Sequence, residues 1–175
     1  AHARIPAFLC GLLRLILRFP FVTTAHGVFQ TGLGLRLLTN WGQRTLAVSE
    51  DIKRYLLENY SVKEDQITVT INGIDTEKFA PLESGPEMRR ALGLPETGFV
   101  IGHISRLDDN TTLVAEHLID LAPRLDKALG GVSVLITGGG QHYEELLEKA
   151  RAVNEQAGRD LVVMTGPRTD ISQVL

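Results

Sequence analysis

The chain has 175 residues, with 18 Lys and Arg against 21 Asp and Glu, for a formal net charge of −3 at pH 7. At 43% hydrophobic and 22% charged it carries enough apolar material for a sizeable core, which excludes the disordered, collagenous and disulfide-rich classes. The slight acidity argues against a nucleic-acid partner, whose non-specific recognition rests on basic residues at phosphates, and the single cysteine, Cys10, cannot form an internal disulfide.

The chain starts at Ala1 without a signal-peptide pattern and at once presents His2, Arg4 and Pro6. Phe8 to Leu17 is the one stretch apolar enough to raise a membrane, but Arg14 interrupts it well short of the roughly 20 residues a crossing needs. Leu9, Leu12, Leu13 and Ile16 follow helical spacing while Arg14 and Arg18 lie on another face. That pattern predicts a helix packed on a sheet, with an amphipathic surface helix as the alternative. Phe21 to Thr24 and Thr45 to Val48 are short β-prone runs. Ser49 is placed to cap the next helix, with Glu50 and Asp51 at its positive end and Ile52, Tyr55, Leu56 and Tyr60 as its apolar stripe. Ile67, Val69 and Ile71 then alternate as a strand that ends at Asn72-Gly73, a turn signal because both residue types tolerate positive φ.

From Asp75 to Pro95 the composition shifts to Pro, Gly and charge, with one short helix about Glu87 to Leu92 stopped by Gly93. A second alternating series follows: strand Phe99 to Ile104, helix about Thr112 to Leu125, strand Val132 to Thr137, helix about Tyr143 to Gln156 and strand Leu161 to Thr165. Pro123 is expected to kink its helix or end it early. Asp170 to Leu175 read as a helix just begun, with Asp170 as N-cap, so both ends of the chain are expected to be cuts. Strands separated by helices of this length predict right-handed βαβ units and parallel sheets. The expected division is residues 1–75, the later part of one such domain; 76–97, a junction; and 98–175, the first part of a second domain.

Ligands of open parallel sheets bind beyond the carboxyl ends of the strands. The residues there are His26 and Gly27; Asn72, Gly73 and Asp75; Ser105 and Arg106; Gly138 to Gly140; and Gly166, Arg168 and Asp170. Glycine lets backbone N–H groups approach an anion, a following helix adds partial positive charge, and Arg106 supplies a forked donor suited to phosphate oxygens. The set points to a phosphate-bearing ligand, although the glycine run also serves plain turn geometry. A dinucleotide fingerprint is unsupported, because no third glycine follows Gln141-His142-Tyr143 and the next strand ends in Thr165-Gly166; a P-loop is absent too. His26, between a strand end and Gly27, is either a cleft residue or a structural histidine. The histidines share no ligand spacing, so no metal is expected, and Cys10 lies on an apolar stripe as a core thiol. Asp108 and Asp109 read as solvated surface, as do the charges of the helix after the glycines, with Glu145 and Lys149 as an i, i+4 pair.

These motifs together resemble a known family. Ala47-Val48-Ser49-Glu50 followed by Ile67 to Pro81, with Asn72-Gly73-Ile74-Asp75 and then Phe79-Ala80-Pro81, is similar to the domain junction of group 1 (family 4) retaining glycosyltransferases of the GT-B fold. His2-x-Arg4, Thr24 to Gly27, Ile101 to Leu107, Gly138 to Gly140 and Thr165-Gly166 match in the family's order. The resemblance implies an α/β architecture of two Rossmann-like parallel-sheet domains, both incomplete here, and transfer of a sugar from a nucleotide-diphosphate-sugar donor held in the cleft between them. Under it His26 is the catalytic candidate that contacts the donor sugar, and Arg106 neutralises the diphosphate. Gly27, Asn72, Gly138, Gly139, Gly166, Arg168 and Asp170 complete the donor-binding set, with the stretch from Gly166 to Asp170 beside the base.

Three departures are visible. The lysine that the family usually places a few residues after its arginine is replaced at the candidate positions by Asp109, Asn110 and Thr111. The family's Glu-x7-Glu motif would lie beyond Leu175, and its amino-terminal glycine-rich turn before Ala1. The implied setting is cell-envelope polysaccharide or glycolipid synthesis on the cytoplasmic side, at the inner face of the membrane, with a sugar or lipid-linked acceptor, no cofactor and no metal. Peripheral membrane contact would run through the apolar helix and its arginines. A nucleotide-sugar epimerase-like enzyme and a non-catalytic GT-B relative are the alternatives.

Overall fold

The computed structural model describes residues 1–28, 32–81, 85–109 and 111–175. Asn110 and residues 82–84 of the expected junction therefore lie outside the described residues. The chain divides into two compact units, Ala1–Ile74 and Asp75–Leu175. Each is built on a parallel three-stranded sheet, in line with the expected α/β class.

In the first unit β1 (Val22–Ala25), β2 (Arg44–Ala47) and β3 (Ile67–Val69) lie side by side in that order, with Ala25, Ala47 and Val69 in one row at the carboxyl edge. Inward positions alternate along each strand, as a half-buried strand requires, so Thr23, Ala25, Thr45 and Ala47 are all buried. The two threonine hydroxyls are satisfied there, because both donate to the carbonyl of Trp41, at 2.7 and 2.8 Å. Helix α3 (Glu50–Asn59) covers this face with Ile52 and Leu56. Its start is set by Ser49, whose Oγ accepts from the Ile52 N–H at 3.2 Å. The short helix α2 (Leu33–Leu37) and a 3-10 turn at Glu64–Gln66 were not expected from the sequence. Both are shorter than the window over which helical periodicity can be recognised.

Helix α1 (Arg4–Leu17) forms, but it packs through the face opposite to expectation. Its buried residues are Ala7 and Gly11, one turn apart, and a Cβ at Gly11 would lie 2.1 Å from the Asn40 side-chain nitrogen. The row Leu9, Leu12, Leu13 and Ile16 is 48 to 78% exposed. Small residues let this helix approach the Asn40 side chain closely, with the larger apolar stripe on the other face.

The second unit holds β4 (Phe99–Ile104), β5 (Val132–Thr137) and β6 (Val162–Gly166), with β5 in the centre and buried at every position. Burial on both faces explains why four of its six residues are large and apolar, with Ser133 and Thr137 as buried polar exceptions. Val134 and Ile136 point into a large cluster formed with Ile119 and Ala122 of helix α5 (Thr112–Leu129) and with Leu146 and Ala150 of α6 (Tyr143–Ala157). Leu135 points the other way, onto Leu92 and Leu94, which follow helix α4 (Gly85–Ala91). A last helix, α7 (Ile171–Val174), contributes Val174 to that smaller cluster.

Three local expectations change. Helix α5 runs through Pro123 to Leu129. Ile119 and Ala122, fully buried on its inner face, hold the segment down and offset the missing backbone donor. Strand β3 stops at Val69, and neither Asn72 nor Gly73 takes a positive φ. The turn lies one step later, where the Asp75 carboxylate accepts from the N–H groups of Glu77 and Lys78 at 3.1 and 3.0 Å. Lys149 reaches across to Asp120 and Glu116 of α5, at 2.8 and 3.0 Å, and so ties two helices together where a pairing with Glu145 along its own helix was expected.

Replacing Ile119 by Ala should lower the unfolding free energy by about 2–5 kcal/mol, whereas Leu15→Ala, at a position 75% exposed, should stay within about 0.5 kcal/mol. Urea denaturation of both variants checks this, and equal losses would show that the inner face of α5 is not the core of this unit.

Candidate functional site

The carboxyl edge of each sheet carries the expected residues. In the first unit His26 and Gly27 follow β1 directly, and the His26 ring lies exposed with its Nε2 3.1 Å from Nδ1 of His2. The two rings are tilted by 31° with centroids 5.4 Å apart. His2 is held here by Ala1, which lies along β1, its α-ammonium donating to the Val22 carbonyl at 2.7 Å and its carbonyl accepting from the Thr24 N–H at 2.9 Å. The sequence presents both histidines but nothing that pairs them. Asn72 lies exposed three residues past the end of β3.

In the second unit the edge is tightly built. Ser105 N–H donates to the Thr137 carbonyl at 3.1 Å and Leu107 N–H to the Gly139 carbonyl at 3.0 Å, while the Leu107 carbonyl accepts from His142 N–H at 3.2 Å. The loop after β4 is thereby laid directly on the glycine turn after β5, and the glycines are what permit it. A Cβ on Gly138, whose φ is +148°, would sit 1.8 Å from the Ser105 carbonyl oxygen, and one on Gly140 would sit 2.3 Å from that of Leu107. Gly138 N–H donates to the Gly166 carbonyl at 3.0 Å, so its amide is already committed within the protein. Gly139 packs on the ring of Pro167. Opposite, β6 carries an extra residue, so that Gly166, at φ +72°, pairs with Thr137.

The two site arginines differ in what surrounds them. Arg168 closes a fork on Asp170, with Nε to Oδ1 at 2.9 Å and Nη2 to Oδ2 at 2.5 Å. Asp170 was expected to cap the last helix, but its side chain makes no capping bond there, because the carboxylate is engaged by Arg168. The same hydrogen bond holds the Asp170 carboxyl below its ordinary value. Arg106 is different. Its side chain is 87% exposed and its Nε lies 3.8 Å from the Asp108 carboxylate, beyond hydrogen-bond reach.

One cluster is absent from the sequence reading. Asp109, expected as plain surface, accepts from Nε2 of His142 at 2.8 Å and from the Gln141 amide at 2.6 Å, and Glu145 lies 3.3 Å from Nδ1 of the same ring. Hydrogen bonding to Asp109 first, and to Glu145 second, raises the His142 pKa above the ordinary 6.5. His103 on β4 moves the opposite way, because partial burial disfavours its charged form. Among the described residues, no three His, Cys, Asp or Glu side chains gather in a group that could hold a metal ion.

Gly138→Ala should cost at least about 2 kcal/mol through the clash with Ser105 and the unfavourable φ, while Gly73→Ala, with open space around its Cβ, should leave the melting temperature nearly unchanged. Thermal unfolding of the two variants distinguishes a sterically required glycine from a dispensable one.

The first 78 residues match the family model described as Glycosyltransferase Family 4. The D-inositol 3-phosphate glycosyltransferase of Nocardiopsis dassonvillei is 30% identical over 139 residues, which cover 75% of this chain and 32% of that protein. Among solved structures, HepE of Anabaena in complex with UDP superposes with a TM-score of 0.78 at 18% identity, over 98% of this chain and 48% of its own; HepE is also solved with UDP-glucose. A glycosyltransferase from Rickettsia africae superposes with a TM-score of 0.66 at 19% identity, over 98% of this chain and 53% of its own. The chain thus spans about half the length of these structures and a third of the curated relative. The family match over the first 78 residues, the junction motif and the fold shared with these neighbours agree, and together they support a group 1 (family 4) glycosyltransferase of the GT-B fold.

Proposed function

We propose that the protein acts as a retaining glycosyltransferase, moving a sugar from a nucleoside-diphosphate sugar to an acceptor in cell-envelope polysaccharide or glycolipid synthesis. The observation that carries this reading is Arg106. It stands exposed at the carboxyl edge of the second sheet, whereas the neighbouring site arginine, Arg168, is already forked onto Asp170. Arg106 is therefore the cation placed to meet an anionic ligand.

In the reaction the bond from the anomeric carbon to the diphosphate breaks, and its electron pair leaves with the diphosphate. The acceptor oxygen forms the new bond on the same face of the sugar and passes its proton to an oxygen of the departing diphosphate. Negative charge grows on the leaving group, and a guanidinium already positioned beside it lowers that barrier without reorganising. His26 is assigned to the donor sugar, with Gly27 and Asn72 at the same edge of their own sheet. Gly138 and Gly139 shape the floor under the Arg106 loop, and Gly166, Arg168 and Asp170 are assigned to the nucleoside end of the donor. The family match and the nucleotide complexes of HepE support a nucleotide-sugar donor. No cofactor and no metal are assigned.

A lipid-linked acceptor at the cytoplasmic face of a membrane fits the exposed apolar row of α1, which ends at the exposed Arg18. No helix of the described residues is long and apolar enough to cross a membrane, so such contact would be peripheral. Co-sedimentation of the full-length protein with vesicles should increase with their anionic lipid content, and indifference to that content would remove the membrane assignment.

In the full-length protein UDP-glucose should bind, and Arg106→Ala should weaken it by about 10- to 100-fold, the effect of losing hydrogen bonds to a charged group. Arg106→Lys should recover part of that loss. Calorimetric titration checks both; a protein that binds no nucleotide sugar or nucleoside diphosphate, with Arg106→Ala indistinguishable from the parent, overturns the assignment.

A further inference from the structure

The loop after β4 carries Asp109 close to Arg106, and a carboxylate beside a diphosphate is an electrostatic liability. Asp109 is 79% exposed and three residues from Arg106, so an unneutralised charge there would oppose the donor that Arg106 attracts. The structure supplies a partner from a different loop. His142, at the start of α6, donates to Asp109 through Nε2 at 2.8 Å, and Gln141 donates to the same oxygen at 2.6 Å. On the other side of the ring Nδ1 faces Glu145 at 3.3 Å. Two carboxylates thus face the ring, Asp109 from the β4–α5 loop and Glu145 from α6 itself.

The contact also closes a mechanical circuit. Leu107, the residue after Arg106, is fully buried and bonded through its backbone to Gly139 and His142, and Asp109 returns the chain to the side chain of that same His142. Arg106 therefore emerges from a loop fastened by His142 through both its backbone and its ring.

We propose that His142 is a positioning residue for the donor diphosphate, which holds Asp109, and with it the Arg106 loop, and masks the Asp109 carboxylate from the donor's phosphates. This rests on the glycosyltransferase reading above. The proton on His142 is the active element. A ring whose pKa is raised by its partners carries its charge at low pH and loses it as pH rises through the folded value, above the ordinary 6.5; the neutral ring can still donate through Nε2 but no longer neutralises Asp109. Donor affinity should accordingly fall as pH climbs through that value.

The test uses the full-length protein and UDP-glucose, chosen because its doubly esterified diphosphate carries no group that titrates between pH 6 and about 8.5, unlike a terminal phosphate with its second pKa near 6. The parent should lose about tenfold in affinity across that range, the scale of one charge-assisted hydrogen bond. His142→Gln should bind weakly throughout with a flat profile, and adding Asp109→Asn to it should restore affinity and leave the profile flat. Proton NMR of the His142 ring supplies the second readout: its pKa should drop in Asp109→Asn. An unmoved ring pKa overturns the proposal, as does a His142→Gln variant that keeps the parent's affinity and pH slope. If the parent itself binds no UDP-glucose at any pH, the glycosyltransferase reading has failed and the positioning role falls with it, an outcome distinct from the other two because there the parent binds.

Discussion

The backbone of Leu107 is the fixed point of the second unit's carboxyl edge. Its N–H and carbonyl are both spent on the turn after β5, at 3.0 and 3.2 Å, and its side chain is fully buried beneath. A parallel sheet leaves the chain free to wander once a strand ends, since the next strand is reached only through a long crossover. Here the exit from β4 is fastened within three residues. Everything that gives the edge chemical meaning follows: Arg106 is held just before the fastening and Asp109 just after it, and Gly138 and Gly140 have no side chain because the fastened loop occupies the space.

The glycine run thus has a steric explanation that composition alone could not separate from an anion-binding one. The glycine turn is needed here because two backbones must touch, while the exposed charged side chain stands on the neighbouring loop. The division of labour is physically sensible. A buried, fully hydrogen-bonded backbone contact resists displacement, and an exposed guanidinium standing on it can meet a mobile anion with little reorganisation of the protein beneath.

The first unit shows the opposite economy. Its sheet is fastened by buried threonines on the Trp41 carbonyl and by an N-capped helix, yet the largest apolar side chains of α1 face outward while Ala7 and Gly11 face in. Small residues lie at the contact, and the larger hydrophobic area lies away from it. That inversion leaves an apolar row bordered by arginine on the surface, the feature on which the membrane assignment stands.

Much of both units was legible in the chain. Strands β4 and β5 begin and end where alternation and turn residues put them, helix α3 starts at its serine cap, and the Asn72 to Asp75 junction pointed to the family. These features are written in residues close together in sequence, through a period of two or 3.6 and through capping chemistry. Pro123 misled because its cost is local while the burial of Ile119 and Ala122 that offsets it is not. By itself the sequence determined the α/β class, the order of the strands and longer helices, and the residues at the strand exits of the second sheet. Only the tertiary structure decided which of them are engaged: Arg168 forked on Asp170 while Arg106 stands exposed, His2 beside His26, and Asp109 against His142, 33 residues further along the chain. A hydrogen bond across that distance exists only once two strand exits have been brought to one edge, and no local pattern records which side chains will meet there.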